Sequence, residues 1–325
     1  MFNTSLVSRI THTLTRFVDI SNHRRSVQTR LCWLLYIHVL QFEEIRVTRV
    51  KKMDSQTLYF SLELVAGSGH ILNIEQRTAL QTSLMILRKN YKFGRVLFWG
   101  KILGLKEDYF IAQGRGEDEL KDKKNLYSFN CMDWFLLPPA TNCLINEVSK
   151  AARGRFIGDP SHVYERVLRI HLEEDEEHEE VVKVSEENRL AVTIHWIDEE
   201  ASVVPRGAFI KNPHGIVQMN RSFCGLSDSE ARKLDSFLHF REPRNQKESI
   251  LGMCELNQTI DFLDVLSDDI PKGSWSLQFE CARKVCVLRS LLWLGLTFYH
   301  VPVTPHSGYI YIGNGYRNLD LNFML

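Results

Sequence analysis

Several common signatures are missing from this chain, and each absence removes a class of function. There is no C-x-x-C pair, no G-x-x-x-x-G-K-[ST] phosphate loop, no G-x-S-x-G nucleophile elbow and no H-E-x-x-H pair. Zinc ribbons, P-loop nucleotide chemistry, α/β-hydrolase catalysis and zincin-type proteolysis therefore have no footing in the sequence. "GNGYRN" around Gly313 and Gly315 is not a dinucleotide fingerprint, because no helix pattern follows it. The formal net charge is zero, so no global field draws the chain to nucleic acid or acidic lipid. The stretch LCWLLYIHVLQF, residues 31–42, is too short at twelve residues to span a bilayer. The seven cysteines (Cys32, Cys131, Cys143, Cys224, Cys254, Cys281 and Cys286) are odd in number and dispersed, which argues for buried reduced thiols rather than a disulfide framework. No signal peptide precedes the sequons at Asn3, Asn220 and Asn257, so they carry no weight.

What is present is a globular composition, with 44% hydrophobic and 25% charged residues in 325, enough for two ordinary domains or one large one. The neutral total hides an asymmetry. Residues 1–52 carry nine Lys or Arg against three acids, and the rest carries the compensating −6. Residues 1–30 are rich in Arg, Ser and Thr, the composition of a mitochondrial transit peptide. "MDSQTLYFSLEL" from Met53 has the pattern of a natural beginning, and we read 1–52 as a basic, poorly ordered N-terminal extension.

Beyond it, the periodicity predicts an α+β fold: predominantly antiparallel β-sheet with a few packed helices and no parallel nucleotide-binding sheet. "NIEQRTALQTSLMILRKNY", 73–91, is a helix with Asn73 and Gln76 as a capping box and Leu80, Leu84, Leu87 and Tyr91 on one face. Residues 95–104 and 107–116 form a hairpin, followed by a third strand at 126–139. The acidic run 173–180, within a segment 171–188, is expected to be an exposed linker or insertion between an N-terminal half, 53–170, and a C-terminal half, 189–325. In the second half, 189–197 and 201–210 read as strands. Residues 226–243 read as a helix opened by the Ser227–Glu230 capping box, and 259–271 as a shorter helix. Residues 273–280, 284–302 and 308–316 read as strands.

Chemistry-bearing clusters are weak. His171 and His178 flank the acidic run, where a solvated charge face explains them better than a metal site. Asp261, Asp264, Asp268 and Asp269 fit the wet face of a short helix better than an acid–base pair. Cys281 and Cys286, five apart on a strand-like run, point to opposite faces. No catalytic, metal or cofactor-binding residue is assigned. The aromatics Trp99, Tyr109, Trp275, Trp293, Phe298, Tyr299, Tyr309 and Tyr311 are left as candidates either for core packing or for a partner interface. In "SLLWLGLTFYHVP", 290–302, strand alternation sets Trp293 and Leu292 on opposite faces unless Gly295 marks a bulge.

The strings "RVLFWGKILGLKEDYFIAQG", "GRFIGDPS", "VVPRGAFIK", "LSDSEARKLDSFLHFREP", "DIPKGSWSLQFE", "LRSLLWLGLTFYH" and "GYIYIGNG" together resemble the radial spoke head proteins, from about Met53 to Leu325. These are structural subunits of the radial spokes in motile cilia and flagella. Several of the motifs are also similar to the paralogous head subunits of the 4 and 6 type. Leu294 stands where the family usually has proline. The resemblance implies a non-enzymatic subunit of the axonemal spoke head with no cofactor. It would serve head assembly and mechanical signalling between central pair and dynein arms. Its partners would be radial spoke head proteins of the 4/6 type and other head subunits, with contact to central pair projections. A mitochondrial matrix enzyme is the alternative, resting on residues 1–30 alone.

Overall fold

The fold is built on one eight-stranded sheet. In the computed structural model its order is β11-β12-β13-β14-β1-β2-β3-β4. The strands are β1 (Arg95–Ile102), β2 (Tyr109–Arg115), β3 (Lys123–Ser128), β4 (Phe135–Leu136), β11 (Trp275–Glu280), β12 (Val285–Ser290), β13 (Leu296–His300) and β14 (Ser307–Gly313). Every neighbour pair is antiparallel except β14 with β1, which run parallel in the register Gly100↔Tyr311. The fold is α+β and mainly β, as expected. The structure describes residues 58–66, 72–171, 177–244 and 259–324. The readings of 1–52, of a start at Met53, of Cys32 and Cys254, of the sequons at Asn3 and Asn257 and of the first half of the acidic run lie outside the described residues. Residues 50–325 form one compact unit, and the N- and C-terminal halves supply four strands each to the same sheet.

Both faces of the sheet are covered, so its central strands are buried on both sides; β2 and β14 have no exposed residue. Period two sorts the side chains. Tyr109 and Ile111 of β2, with Tyr309 and Tyr311 of β14, enter one core; Phe110, Ala112, Ile310 and Ile312 enter the other. Strand β1 changes phase at a bulge between Phe98 and Gly100. Val96 and Phe98 face one core, whereas Trp99 and Ile102 face the other, a pattern strict alternation forbids. Gly100 is required there, because a Cβ on it would lie 2.0 Å from the Tyr311 carbonyl oxygen.

Helices α1 (Leu58–Val65) and α2 (Ile74–Asn90) pack on one face. The α2 start is as predicted: Asn73 N–H donates to Gln76 Oε1 at 3.0 Å. Leu80, Leu84 and Leu87 are buried, but Tyr91 ends the helix with its ring exposed. Buried Ser83 completes the stripe and donates to the Cys131 carbonyl at 2.7 Å. The opposite face is covered by α4 (Glu186–Ala201), and beside it lie α3 (Asn142–Ala151) and a separate hairpin of β5 (Val163–His171) and β6 (Glu177–Ser185). A short α5 (Leu321–Met324) closes the described chain.

Several sequence expectations are corrected. Residues 189–197 are not a strand but the body of α4, whose Ser185 cap accepts from Asn188 N–H at 3.4 Å. The helix is buried on almost every side, so its sequence lacks the polar stripe that signals period 3.6. Residues 226–243 are not a long helix. The capping box forms, with Ser227 N–H donating to Glu230 Oε2 at 2.9 Å, but only 3₁₀ turns at Glu230–Arg232 and Leu234–Ser236 follow. The chain then becomes β10 (Phe237–His239), paired with β7 (Val203–Pro205). Phe237 must bury in the sheet core while Leu238 buries in a separate apolar cluster, and only an extended chain sends neighbours to opposite sides. Residues 259–271 hold only a 3₁₀ turn, Leu266–Asp268. The third strand divides into β3 and β4, 201–210 divides into β7 and β8 (Phe209–Lys211), which pairs with β9 (Val217–Met219), and 284–302 divides into β12 and β13. The described part of 171–188 is the end of β5, strand β6 and the first turn of α4.

Gly295 marks a turn between β12 and β13, not a bulge. Leu296 N–H donates to the Trp293 carbonyl at 3.1 Å, Gly295 has φ +107°, and Leu294 is absent from the positive-φ residues. This is the type II pattern, which favours proline at the Leu294 position. Leu294 is 55% exposed. We expect Leu294→Pro to raise stability by about 0.4–1 kcal/mol. Gly295→Ala places a Cβ 2.1 Å from the Ile312 carbonyl oxygen and should cost roughly 2–4 kcal/mol. Urea denaturation of the two variants against wild type measures both.

Candidate functional site

The eight aromatics singled out from the sequence are all buried in the chain's own core. Five are tied by their polar ends to carboxylates. Tyr109 OH donates to Glu186 at 2.7 Å, Trp99 Nε1–H to Asp198 at 2.8 Å, and Trp293 Nε1–H to Glu200 at 2.8 Å. Tyr309 OH donates to Asp198 at 3.3 Å, and Trp275 Nε1–H to Asp269 at 2.7 Å. Tyr299 OH donates to Ser61 at 2.6 Å on the other face, and Tyr311 OH accepts from Gly315 N–H at 2.9 Å. Phe298 meets Phe237 edge-on at 5.6 Å. Three of the acids, Glu186, Asp198 and Glu200, belong to α4. Sequence reasoning read that helix as a strand and did not single out its acids.

Glu186 is the most heavily hydrogen-bonded of them. It accepts from Tyr109, from Tyr164, and from the backbone N–H groups of Ile157, Gly158 and Asp159 at 2.9, 2.7 and 3.1 Å. Burial by itself raises a carboxyl pKa, but the donors outweigh it and hold Glu186 below the ordinary carboxylate range. Asp198 also accepts from Gln113 at 2.6 Å, and Gln113 in turn accepts from fully buried Arg115. Burial, then Glu186, pushes the Tyr109 phenol far up. These groups form a structural seam whose ionised acids and neutral phenols are locked in place.

The other clusters are pinned one by one. Arg206 forks onto Asp261 at 2.6 and 2.8 Å; Asp264 meets Arg241 at 3.4 Å; Asp269 meets His239 at 2.8 Å. The four aspartates therefore do not share a helix face. His171 pairs in register with Glu177, and His178 with Ile170. Among the described residues, no group of three or more His, Cys, Asp or Glu is placed to hold a metal ion. Cys286 is buried in β12, and Cys281 is exposed in the turn before it. Burial pushes the Cys131 and Cys286 thiols up to about 12, so both stay protonated at neutral pH.

One exposed apolar surface among the described residues lies along the β4 edge of the sheet. A groove of about 620 Å³ runs between α2 and the segment around Trp134. Ile86, Tyr91, Met132 and Phe135 line it and are 53%, 44%, 61% and 52% exposed in turn. Met85 and Leu136 beside them are also exposed. Large apolar groups grouped at a sheet edge are the surface signature of a docking site. Of these residues only Tyr91 was named from the sequence, and then as part of the buried face of the helix. The available signal was Met85 and Ile86 lying off the buried stripe of a well-defined amphipathic helix.

A body whose core acids tie a sheet to a helix, and whose exposed apolar groups gather at a sheet edge, has the build of a structural subunit. The chain belongs to the radial spokehead-like protein family: the family profile matches residues 41–214. It is 63% identical to the radial spoke head protein 9 homolog of Danio rerio, 53% to that of Bos taurus and 50% to that of Homo sapiens, each over 277 residues covering 84% of this chain and 100% of the relative.

Replacing Glu186 tests the seam. Glu186→Gln keeps the shape but confronts donors with an amide N–H, and should cost about 2–4 kcal/mol at neutral pH. Because the folded-state pKa is depressed, the wild-type advantage is complete above the unfolded carboxyl value near ~4.3 and is lost as pH falls through the folded value. The stability gap between wild type and variant should therefore close in acid, which paired denaturation curves from neutral to acid pH will show.

Proposed function

We propose that this chain is a structural subunit of the radial spoke head in the axoneme of motile cilia and flagella. It acts there without a catalytic step. It serves head assembly, and its groove at the β4 edge receives a paralogous head subunit of the 4 or 6 type. Membership of the radial spokehead-like family supports the placement in the head. The exposed apolar edge supports the docking mode, since Ile86, Met132 and Phe135 are large, clustered and about half exposed, with Phe135 seated on the core ring of Tyr127.

The mechanical role follows from construction. Signalling between central pair projections and dynein arms requires a body that passes force without shearing. An eight-stranded sheet covered on both faces, with its layers joined by charge-assisted hydrogen bonds, resists shear better than apolar contact alone, because hydrogen bonds are directional.

Co-expression of the full chain with a 4/6-type subunit, followed by size-exclusion chromatography with light scattering, tests the reading. One stoichiometric complex is expected. The double variant Ile86→Asp, Met132→Asp should keep its circular dichroism and melting behaviour, because both side chains are exposed. It should bind roughly 100-fold more weakly, the effect of losing central apolar anchors. Separate elution of two well-folded chains would count against the pairing. Wild-type binding by the double variant would move the interface elsewhere.

A further inference from the structure

A second cavity, of about 690 Å³, lies on the other side of β4. Its walls come from β3, the Leu136–Ala140 segment, α4 and the chain at Arg241–Glu242. One wall is apolar, with Leu136, Leu137 and Pro138; the other carries cations. The acids that also line it already have partners. Asp198 is held by Trp99 and Gln113. Glu242 pairs with Lys121 at 3.0 Å, and Glu199 meets Arg244 at 3.5 Å.

Arg241 is matched only in part. The Arg241 side chain is 9% exposed, and its Nη2 lies 3.4 Å from Asp264. Its Nε and Nη1 are buried with no hydrogen-bond partner among the described residues. An unsatisfied guanidinium at this depth carries a desolvation penalty that folding alone does not explain. Lys123 Nζ has only the Phe240 carbonyl, at 3.3 Å, as a hydrogen-bond acceptor, and burial pulls its ammonium down to about 8, Asp198 opposing. Lys124 beside it is exposed at the rim. The lining thus holds four cations, Lys121, Lys123, Lys124 and Arg241, against three carboxylates, and the buried Arg241 nitrogens are left without acceptors among the described residues.

We propose that this cavity is a binding site for a small organic oxyanion, a carboxylate or phosphate seated on Arg241, Lys123 and Lys124 with its apolar part against Leu136, Leu137 and Pro138. Its volume suits a ligand of that size. The anion supplies the acceptors that the Arg241 nitrogens lack, and guanidinium with ammonium is the donor set that recognises both head groups. This site is independent of the subunit docking proposed above, since it rests on the charge of the cavity and not on the groove.

Isothermal titration of the full chain with phenyl phosphate and with benzoate tests it, against inorganic phosphate and against sodium chloride at matched ionic strength. One-to-one binding of phenyl phosphate or benzoate is expected, at least about tenfold tighter than inorganic phosphate because the ring occupies the apolar wall. Which of the two binds identifies the head group. Arg241→Gln should abolish binding. Lys124→Glu alters an exposed rim residue, leaves the fold intact by circular dichroism, and should weaken binding at least about tenfold. Absence of saturable heat with both aromatic anions, or an unchanged affinity in Lys124→Glu, overturns the proposal.

Discussion

Ring N–H and O–H groups of the sheet donate to carboxylates of one buried helix, and the rest of the structure is arranged around that seam. Trp99, Tyr109 and Trp293 come from different parts of the chain, yet all three end on α4, at Asp198, Glu186 and Glu200. Each is a charge-assisted bond worth about 1.5–3 kcal/mol when made, and a carboxylate left unpaired at that depth costs more. The pairing therefore selects one orientation of α4 on the sheet. Apolar contact would tolerate sliding; a carboxylate that must meet an indole N–H within 3 Å does not.

The seam depends on the sheet presenting its aromatics in one layer, and two backbone features secure that. The bulge at Phe98/Gly100 changes the phase of β1, so that Trp99 and Ile102 share the α4 face. The parallel pairing of β14 with β1 brings Tyr309 and Tyr311 alongside them, joining strands from the two ends of the described chain. Gly100 is the point where both features meet, since it belongs to the bulge and opposes Tyr311.

With these aromatics committed to the core, both proposed interactions use the β4 edge. β4 is two residues long and exposed, with the apolar groove on one side of it and the basic cavity on the other. A short edge strand limits uncontrolled pairing while leaving its flanks open. This places the two proposed activities of the surface, subunit docking and anion binding, next to each other and away from the structural seam.

Local rules carried the reading wherever the signal lay within a few neighbouring residues. Helix α2, with its Asn73–Gln76 cap, and the β1–β2 hairpin were legible because capping chemistry and period two are properties of a few neighbouring residues. The same rules failed where tertiary packing decided. The Ser227–Glu230 box formed as written, yet the helix it announces stops after one turn because Phe237 and Leu238 bury on opposite sides. Helix α4 passed for a strand because burial on nearly all sides erases the polar stripe. The sequence by itself determined the class of fold, the positions of most strands and the aromatic wealth of the core. Only the tertiary structure decided which carboxylates those aromatics meet, and it alone exposed the groove and cavity beside β4. Those features depend on residues tens of positions apart being brought within hydrogen-bond reach, which no local pattern encodes.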